Sequence, residues 1–424
     1  MTRTKGFFKF LLPLLLCLAI ALAIGTALLT AVYCIPAEAM EENVYESAQV
    51  LHNEGLYPWP HSWCTSMVDN FTDSFMLLHA AYQNDRSPLD QAMNIYRPYF
   101  EVKDMPYQDL MDHYIEGKEY LNEYTYERYW HGYLVYLKPL LCIMNYDTIR
   151  TVNGIFQTLL LVLVVALLVK NKMKRYIPAY LVAVGLLLPT VTAMCLQYSS
   201  CYYAMTFGII ALLLSRDKME QRESFIFLFL GIFVAYVDFL TYPIVTLGMP
   251  LAVYYAMDRG GNLKRAAGKM GKLCFCWGLG YGGMWAGKWV LGSLLTGNNQ
   301  LSGAMNKVAE RTAGDVYGEA AANPALKAWT DNWEHFSNTP FYYLMWAVTV
   351  LAVVVFLVRL VQKKIALKQW KAAVPFAVIT CMPLVWYAVL ANHSIMHCWF
   401  TFKSLVVLGF GLMCLGLKLT EQPE

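Results

Sequence analysis

The chain has 424 residues, of which 58% are hydrophobic and 15% charged, and its net charge is only +3. This balance excludes an ordinary soluble globule and gives no indication of nucleic-acid binding. Many apolar runs of about 17 residues or more instead predict an all-α, polytopic membrane protein. The 11 cysteines lie mostly inside apolar runs, without a CxxC pair, so no zinc site is predicted. Cys34 and Cys64 share one loop, but a disulfide between them is not predicted.

About ten apolar runs are long enough to be predicted as spans. They lie near 10–33, 151–169, 177–196, 200–214, 225–241, 243–257, 273–294, 341–359, 374–391 and 399–417. The first is predicted to be a retained helix rather than a signal peptide, because its apolar core is too long. The apolar block 225–257 is divided at Asp238, Thr241 and Pro243, since proline disfavours helix at the residue before it.

Lysine and arginine are concentrated in the short segments between these runs. They cluster at 3–9, 170–175, 216–222, 259–272 and 359–371 and at Lys418. When the spans alternate, all of these segments fall on one side, as the positive-inside rule requires. The sequence therefore predicts a single integral domain over 1–424 in the cell membrane, N-in and C-in, with two long outer loops at about 35–150 and 295–340.

The outer loops contain predicted helices of their own. In the first loop these are Val44–Leu51, a helix from Asp69 to Gln83 and one over about 107–121, with a break at 55–60. The aromatic stretch 129–142, interrupted by Pro139, favours an interfacial or re-entrant helix rather than a span. In the second loop, 304–311 and 325–336 are predicted helical pieces.

Two carboxylates in the first outer loop are the leading candidate site residues. Asp69 and Asp73 are four residues apart, so on a helix they share one face. The same spacing suits an N-cap at Asp69 followed by a first-turn acid at Asp73. Both interpretations stay open at this point.

Other ionisable residues are predicted on the same side of the membrane. Asp238 lies near the outer end of an apolar span, where a carboxylate is costly unless it is paired or hydrated. His393 and His397 are four residues apart, as in a metal pair or a pair of phosphate donors. Lys403 lies about one turn into the last span and needs an anionic partner. The structural alternatives are a buried partner for Asp238, an interfacial histidine pair and a snorkelling lysine.

Arg128 and His131, beside the aromatic stretch, complete this set, and Lys288 is a weaker member. Together these carboxylates, cations and imidazoles are predicted to line one cavity at the boundary of bilayer and exterior. Such a cavity suits a substrate with a phosphate at the headgroup level and an uncharged, hydroxyl-bearing part outside. A lipid-phosphate-linked sugar has that shape.

This plan resembles the GT-C superfamily of membrane glycosyltransferases and, more narrowly, is similar to uncharacterised multispan proteins of Gram-positive bacteria. The stretches that carry the resemblance are Gly55–Pro58, Asp69–Asp73, Arg128–Gly132, Asp238–Pro243 and Asn392–Lys403. The resemblance implies that a sugar is transferred from a polyprenyl-phosphate donor to an extracytoplasmic acceptor hydroxyl of a cell-envelope glycan or glycopolymer, with inversion at the anomeric centre.

In that chemistry Asp69 or Asp73 would act as the general base. Lys403, Arg128 and a histidine would stabilise the leaving lipid phosphate. The adjacent acids that the superfamily carries soon after its first span correspond here to Glu41–Glu42, so these are also open as the base. Many members have arginine where this chain has Lys403. No cofactor is required, although a divalent metal at Asp69 with another acid or histidine fits the pattern.

Two other functions are compatible with the sequence. A transporter or a lipid-linked glycan flippase is favoured by the many spans and by Asp238, but charged residues do not reach the cytoplasmic half of the bilayer. A non-catalytic membrane protein of envelope assembly is the third alternative. The one-cavity hypothesis fails if Asp69 lies more than about 15 Å from the histidine and lysine group, beyond the reach of a shared site.

Overall fold

The computed structural model describes residues 2–103, 105–258, 262–312, 315–316, 319–320, 322–362 and 370–421. The side chains of residues 2–7, 64, 315–316 and 319–320 are not described. Parts of the basic segments 3–9, 259–272 and 359–371, and the side chain of Cys64, therefore lie outside the described residues. Helix makes up 78% of the structure, which confirms the all-α fold class.

The helices follow one another with short connections. In the first half of the chain they are α1 (Thr2–Val32), α2 (Glu41–Glu54), α3 (Asn70–Ala81), α4 (Pro88–Asn94), α5 (Pro106–Tyr114), α6 (Leu134–Leu141), α7 (Tyr146–Lys170), α8 (Ile177–Leu186), α9 (Pro189–Met194) and α10 (Leu196–Leu214). In the second half they are α11 (Met219–Val237), α12 (Ile244–Met257), α13 (Leu263–Thr296), α14 (Gln300–Thr312), α15 (Pro324–Ser337), α16 (Tyr342–Val361), α17 (Trp370–Val389), α18 (Ala391–Met396), α19 (Cys398–Thr401) and α20 (Val406–Leu419).

Within the described residues, 5 helices are long and apolar enough to cross a membrane. They are Phe8–Val32, Tyr146–Lys170, Tyr342–Val361, Trp370–Val389 and Cys398–Leu419. A further pair, Leu196–Leu214 and Arg216–Val237, is bent by 75° and raises the number to 6 if it is one span. These helices support a membrane protein, whereas the ten spans and the N-in, C-in orientation remain predictions.

The segment 35–150, which is predicted to be the first outer loop, is built largely as expected, with two differences. The predicted helices at Val44–Leu51 and from Asp69 appear as α2 and α3. The third predicted helix ends early, at Tyr114, because Gly117 turns the chain with a positive φ of 70°. Strand β1 (Tyr96–Tyr99), before this helix, pairs antiparallel with β2 (Asn122–Thr125), after it, and the sequence did not indicate this two-stranded sheet. At 8 residues, α6 is too short to span a bilayer.

Two interruptions of apolar helices position the candidate site. The predicted break after α11 occurs at 238–243, where the Asp238 carboxylate accepts a hydrogen bond from the Thr241 amide (2.9 Å) and Leu240 has a positive φ of 69°. A second interruption separates α8 from α9 at Leu188, which also has a positive φ, of 57°. Non-helical backbone within a membrane must be buried in protein or line a polar cavity. We therefore expect both breaks to be packed against protein or to border a polar space.

The apolar core has two parts, and the candidate site lies between them. The larger part is formed by α8, α10, α11, α12, α13 and α20. The smaller part lies under the first outer loop and joins α2, α3, α5, α6 and the start of α7. A second two-stranded sheet, in which β3 (Asp315–Val316) pairs with β4 (Glu319–Ala320), follows α14. Asp69 and Asp73 on one side and the segment 392–403 on the other meet where the two core parts join.

Candidate functional site

Asp69 is the N-cap of α3, as the capping interpretation expected. Its carboxylate accepts hydrogen bonds from the Thr72 amide (2.9 Å) and the Thr72 hydroxyl (3.0 Å). The residue is only 2% exposed, and this burial raises the pKa of Asp69, while the Thr72 hydrogen bonds oppose the rise. A carboxylate has about four lone-pair sites, so the cap leaves acceptor capacity for another group.

Asp73 lies one turn further along α3 in a different environment. It is fully buried and contacts the Tyr146 hydroxyl, the Cys195 thiol (3.6 Å) and the Gln197 amide (3.5 Å). Burial raises the pKa of Asp73 to about 7, against the lowering effects of the Arg150 charge and the Tyr146 hydrogen bond. Burial therefore raises the pKa of both acids, although their hydrogen-bond partners differ.

The C-terminal segment reaches Asp69 through Trp399. The indole N–H of Trp399 faces the carboxylate and lowers the pKa of Asp69, although burial has the larger, opposite effect. That N–H forms no hydrogen bond of ordinary length with any described residue, so it lies near the Asp69 carboxylate without a close bond to it. The Trp399 ring lies edge-on to Tyr57 (6.4 Å between centroids) and to His397 (5.1 Å). Trp399 therefore lies between Asp69 and His397.

The two histidines of this segment lie together, with ring centroids 4.8 Å apart. His393 Nε2 is 2.7 Å from the Leu240 carbonyl oxygen, in the break between α11 and α12. His397 Nε2 is 2.9 Å from a guanidinium nitrogen of Arg311, on α14. Burial lowers the pKa of His393 well below its usual range and that of His397 to about 3, with the Arg311 charge adding to both effects.

Arg311 connects the histidines to a cavity of about 400 Å³. Three cationic residues, Arg128, Lys307 and Arg311, line this cavity together with apolar residues such as Leu390. Its aromatic lining comes from Tyr129, Tyr281, Trp285, Trp289 and Trp386. We call this space the cationic cavity, and we call the series Asp69, Trp399, His397 and Arg311 the contact chain. An apolar cavity with cations on one side suits an amphipathic anion.

Arg311 is the cation with the most unused donor capacity. Its Nε is buried and has no hydrogen-bond partner among the described residues. The Lys307 ammonium already pairs with Glu310, one turn along α14. The Arg128 guanidinium lies over the Tyr126 ring at 4.4 Å. The backbone carbonyl of Arg128 accepts a hydrogen bond from the Trp289 indole (3.0 Å).

Lys403 lies on another side of the contact chain, away from the cationic cavity. It is 1% exposed, its ammonium is 3.5 Å from the Leu187 carbonyl oxygen, and it lies over the rings of Tyr198 (5.0 Å) and Phe402 (4.7 Å). The structure therefore gives Lys403 a carbonyl and two aromatic rings as its neighbours and does not place it among the residues that line the cationic cavity.

His131 and Asp238 form hydrogen bonds within the protein that engage their polar atoms. His131 Nδ1 is 3.2 Å from the Tyr133 hydroxyl, and Nε2 is 3.0 Å from the Tyr126 carbonyl oxygen. Both oxygens of Asp238 accept hydrogen bonds from Thr241. These two residues shape the break whose Leu240 carbonyl holds His393, so they position the site without being directed at the cationic cavity.

Two other candidates lie apart from the contact chain. The Lys288 ammonium donates to the Met93 carbonyl oxygen (2.6 Å) near the C-terminus of α4, where a lysine commonly satisfies a free carbonyl. Glu41 and Glu42 are exposed and line a separate cavity with His113. The geometry thus favours the α3 acids over Glu41 and Glu42 as site carboxylates.

The part of the chain that the structure describes contains no preformed metal-binding site. No group of three or more histidine, cysteine, aspartate or glutamate side chains converges there in a way that could hold a metal ion. At the histidine pair, the Arg311 contact occupies Nε2 of His397. The two rings therefore do not offer the paired lone pairs that a shared metal ion needs.

Three residues of the site were not singled out from the sequence as functional: Lys307, Arg311 and Trp399. Lys307 and Arg311 are four residues apart in a predicted helix, a spacing that places both on one face. That signal is weak, because exposed amphipathic helices carry such pairs routinely. What the sequence does not encode locally is the contact of Arg311 with His397, across 86 residues of chain.

Comparison with known proteins assigns no family, because no family model, no curated protein and no solved structure matches the chain significantly. The fold and site define an α-helical protein with helices long enough to cross a membrane, in which Arg311 joins a cationic, aromatic cavity to the histidine pair beside Trp399.

Proposed function

We propose that the protein is a membrane glycosyltransferase that moves a sugar from a polyprenyl-phosphate donor to an acceptor hydroxyl of a cell-envelope glycan outside the membrane. One observation carries the proposal: the contact chain leads from the cationic cavity to the buried carboxylate of Asp69. The cationic cavity offers an anion site for the donor phosphate, and Asp69 offers a base for the acceptor hydroxyl that attacks the anomeric carbon bonded to that phosphate.

The cationic cavity supplies the donor site. Its aromatic and apolar walls suit the first isoprene units of the lipid, and Arg128, Lys307 and Arg311 suit the phosphate. Arg311 is assigned the principal phosphate contact, because its Nε is buried without a partner and a guanidinium can bind phosphate oxygens in pairs. Lys403, which does not line the cavity and is buried against Tyr198 and Phe402, is not assigned to the lipid phosphate.

The reaction is a single displacement. The acceptor hydroxyl oxygen forms a bond to the anomeric carbon, and the bond from that carbon to the phosphate oxygen breaks. The bonding electrons leave with polyprenyl phosphate, where the cations of the cavity stabilise the developing charge. The hydroxyl proton passes to Asp69, whose burial makes it a stronger base than an exposed aspartate. Attack from the face opposite the phosphate inverts the anomeric centre.

Replacing Asp69 by asparagine tests the base directly in cells. Asparagine caps helices as well as aspartate does, so the variant keeps α3 but cannot accept the proton. We expect normal membrane insertion and loss of the transferred sugar from the envelope of a deletion strain complemented with the variant. The matched control is Asp147→Asn, an exposed first-turn aspartate of α7, which should leave transfer unchanged.

The same strains separate the alternatives. A flippase or transporter would leave unmodified envelope glycan together with sugar lipid trapped on the cytoplasmic face. An assembly protein without catalytic activity would be rescued by Asp69→Asn. Sugar lipid accumulating on the outer face in Asp69→Asn supports the transferase, and transfer at the wild-type level contradicts it.

A further inference from the structure

The hydrogen bonds of His393 and His397 determine which ring nitrogen carries the proton. A carbonyl oxygen only accepts, so His393, whose Nε2 is 2.7 Å from the Leu240 carbonyl oxygen, must carry its proton on Nε2. A guanidinium only donates, so His397, whose Nε2 is 2.9 Å from Arg311, must have a bare Nε2 and carry its proton on Nδ1. Burial and the Arg311 charge keep both rings neutral.

The two remaining nitrogens are chemically opposite. His393 Nδ1 has a free lone pair, and His397 Nδ1 has a free N–H. Both atoms are buried, and neither has a hydrogen-bond partner in the described residues. His393 is 2% exposed, and a polar atom buried without a partner is unfavourable. The two adjacent rings therefore carry one acceptor and one donor that no described residue satisfies.

We propose that His393 and His397 form a subsite that recognises one neutral hydroxyl group, namely a hydroxyl of the sugar on the lipid-linked donor. This inference rests on the proposed function and assigns the part of the donor site that binds the sugar. The hydroxyl donates its proton to His393 Nδ1, and its oxygen accepts the proton of His397 Nδ1. A hydroxyl group does both at once.

Charged ligands satisfy only half of the pair. An ionised phosphate oxygen accepts the His397 proton but meets the His393 lone pair with its own lone pairs. A metal ion or an ammonium group suits the His393 lone pair but meets the N–H of His397. The pair also stands between Arg311, assigned to the phosphate, and Trp399, which faces Asp69. A sugar hydroxyl near the anomeric carbon belongs at that position.

Nuclear magnetic resonance of the full-length protein in lipid nanodiscs, labelled with ¹⁵N-histidine, tests the tautomers. His393→Phe and His397→Phe identify the two signals. We expect His393 as the Nε2–H form and His397 as the Nδ1–H form, both neutral near pH 7. A shared tautomer, or an imidazolium at either position, would overturn the proposal, because the pair would then no longer present one donor and one acceptor.

A binding experiment tests the ligand class. The probes are polyprenyl phosphate alone and a panel of polyprenyl-phosphate hexoses carrying glucose, galactose, mannose or N-acetylglucosamine. For at least one hexose lipid, His393→Phe should weaken binding about tenfold, the effect of a lost buried hydrogen bond, and leave polyprenyl phosphate binding unchanged. His393→Asn, which keeps an acceptor, should restore part of the loss. His113→Phe, distant on α5, is the matched control.

The outcomes separate this inference from the proposed function. If the wild type binds polyprenyl phosphate but prefers no hexose lipid over it, the hydroxyl subsite is overturned and the donor cavity stands. If His393→Phe weakens the lipid phosphate and the hexose lipids equally, the pair binds phosphate and the inference is again overturned. If no lipid phosphate binds at all, the proposed function fails first.

Discussion

Replacing Arg311 by methionine should weaken binding of the lipid phosphate more than any other single change at the cationic cavity. Arg311 contributes an unpaired, buried Nε and a guanidinium already oriented by His397. A hydrogen bond to a charged group is worth about 1.5–3 kcal/mol, which corresponds to a loss of roughly 10- to 150-fold in affinity. Lys307 is paired with Glu310, so Lys307→Met should cost about fivefold at most.

The measurement is a titration of the nanodisc-embedded protein with polyprenyl phosphate, followed by tryptophan fluorescence. Trp285, Trp289 and Trp386 line the cavity, so its occupation should change their emission. Lys327→Met is the matched control, because Lys327 forms an exposed pair with Asp331 on α15. The reasoning is refuted if Lys307→Met loses as much affinity as Arg311→Met, or if Lys403→Met loses more than either.

Three further changes test neighbouring parts of the site. Trp399→Phe removes the N–H that faces Asp69, so the pKa of Asp69 should rise and the pH profile of transfer should shift upward, with donor affinity unchanged. Lys403→Met should lower the thermal unfolding midpoint without changing polyprenyl phosphate affinity, since Lys403 is buried beside Tyr198; a selective loss of affinity would contradict this. The pKa of Asp73 is about 7 in the folded protein against 3.8 ordinarily, so the folded state binds more protons between these values. Its contribution to stability therefore falls as pH rises through that window, and the slope should be smaller in Asp73→Asn; an unchanged slope would refute this account of Asp73.

Local patterns predicted the helices of the outer loop well, because capping and apolar spacing act within a few residues. Asp69 caps α3 as the sequence indicated, and the aromatic stretch after Arg128 contains only a short helix. The two-stranded sheet of β1 and β2 was missed because its strands are only 4 residues long and are separated by α5. A buried ion pair of Arg97 and Asp109 (2.9 Å) joins this sheet to α5, and the spacing of residues in the sequence does not predict such a contact.

The membership of the candidate site stays a prediction, and its connections could be predicted only in part. Trp399 lies between Asp69 and the histidines, which the spacing of these residues in the sequence does not specify. Lys403 carries the charge that the sequence suggested for the phosphate, yet it is buried against Tyr198 and does not line the cationic cavity. The phosphate contact assigned to Arg311 depends on the packing of α14 against α18, which no local pattern specifies.

The most direct test of the proposed transferase follows the donor itself. Purified protein in nanodiscs is supplied with radiolabelled polyprenyl-phosphate hexoses and isolated cell-envelope glycan, and both products are measured. The account predicts that labelled sugar enters the glycan in equal amount to the polyprenyl phosphate released, with the wild type and Asp147→Asn but not with Asp69→Asn. Equal transfer by Asp69→Asn would contradict the assigned base, and no transfer by the wild type with any hexose lipid would contradict the proposed function.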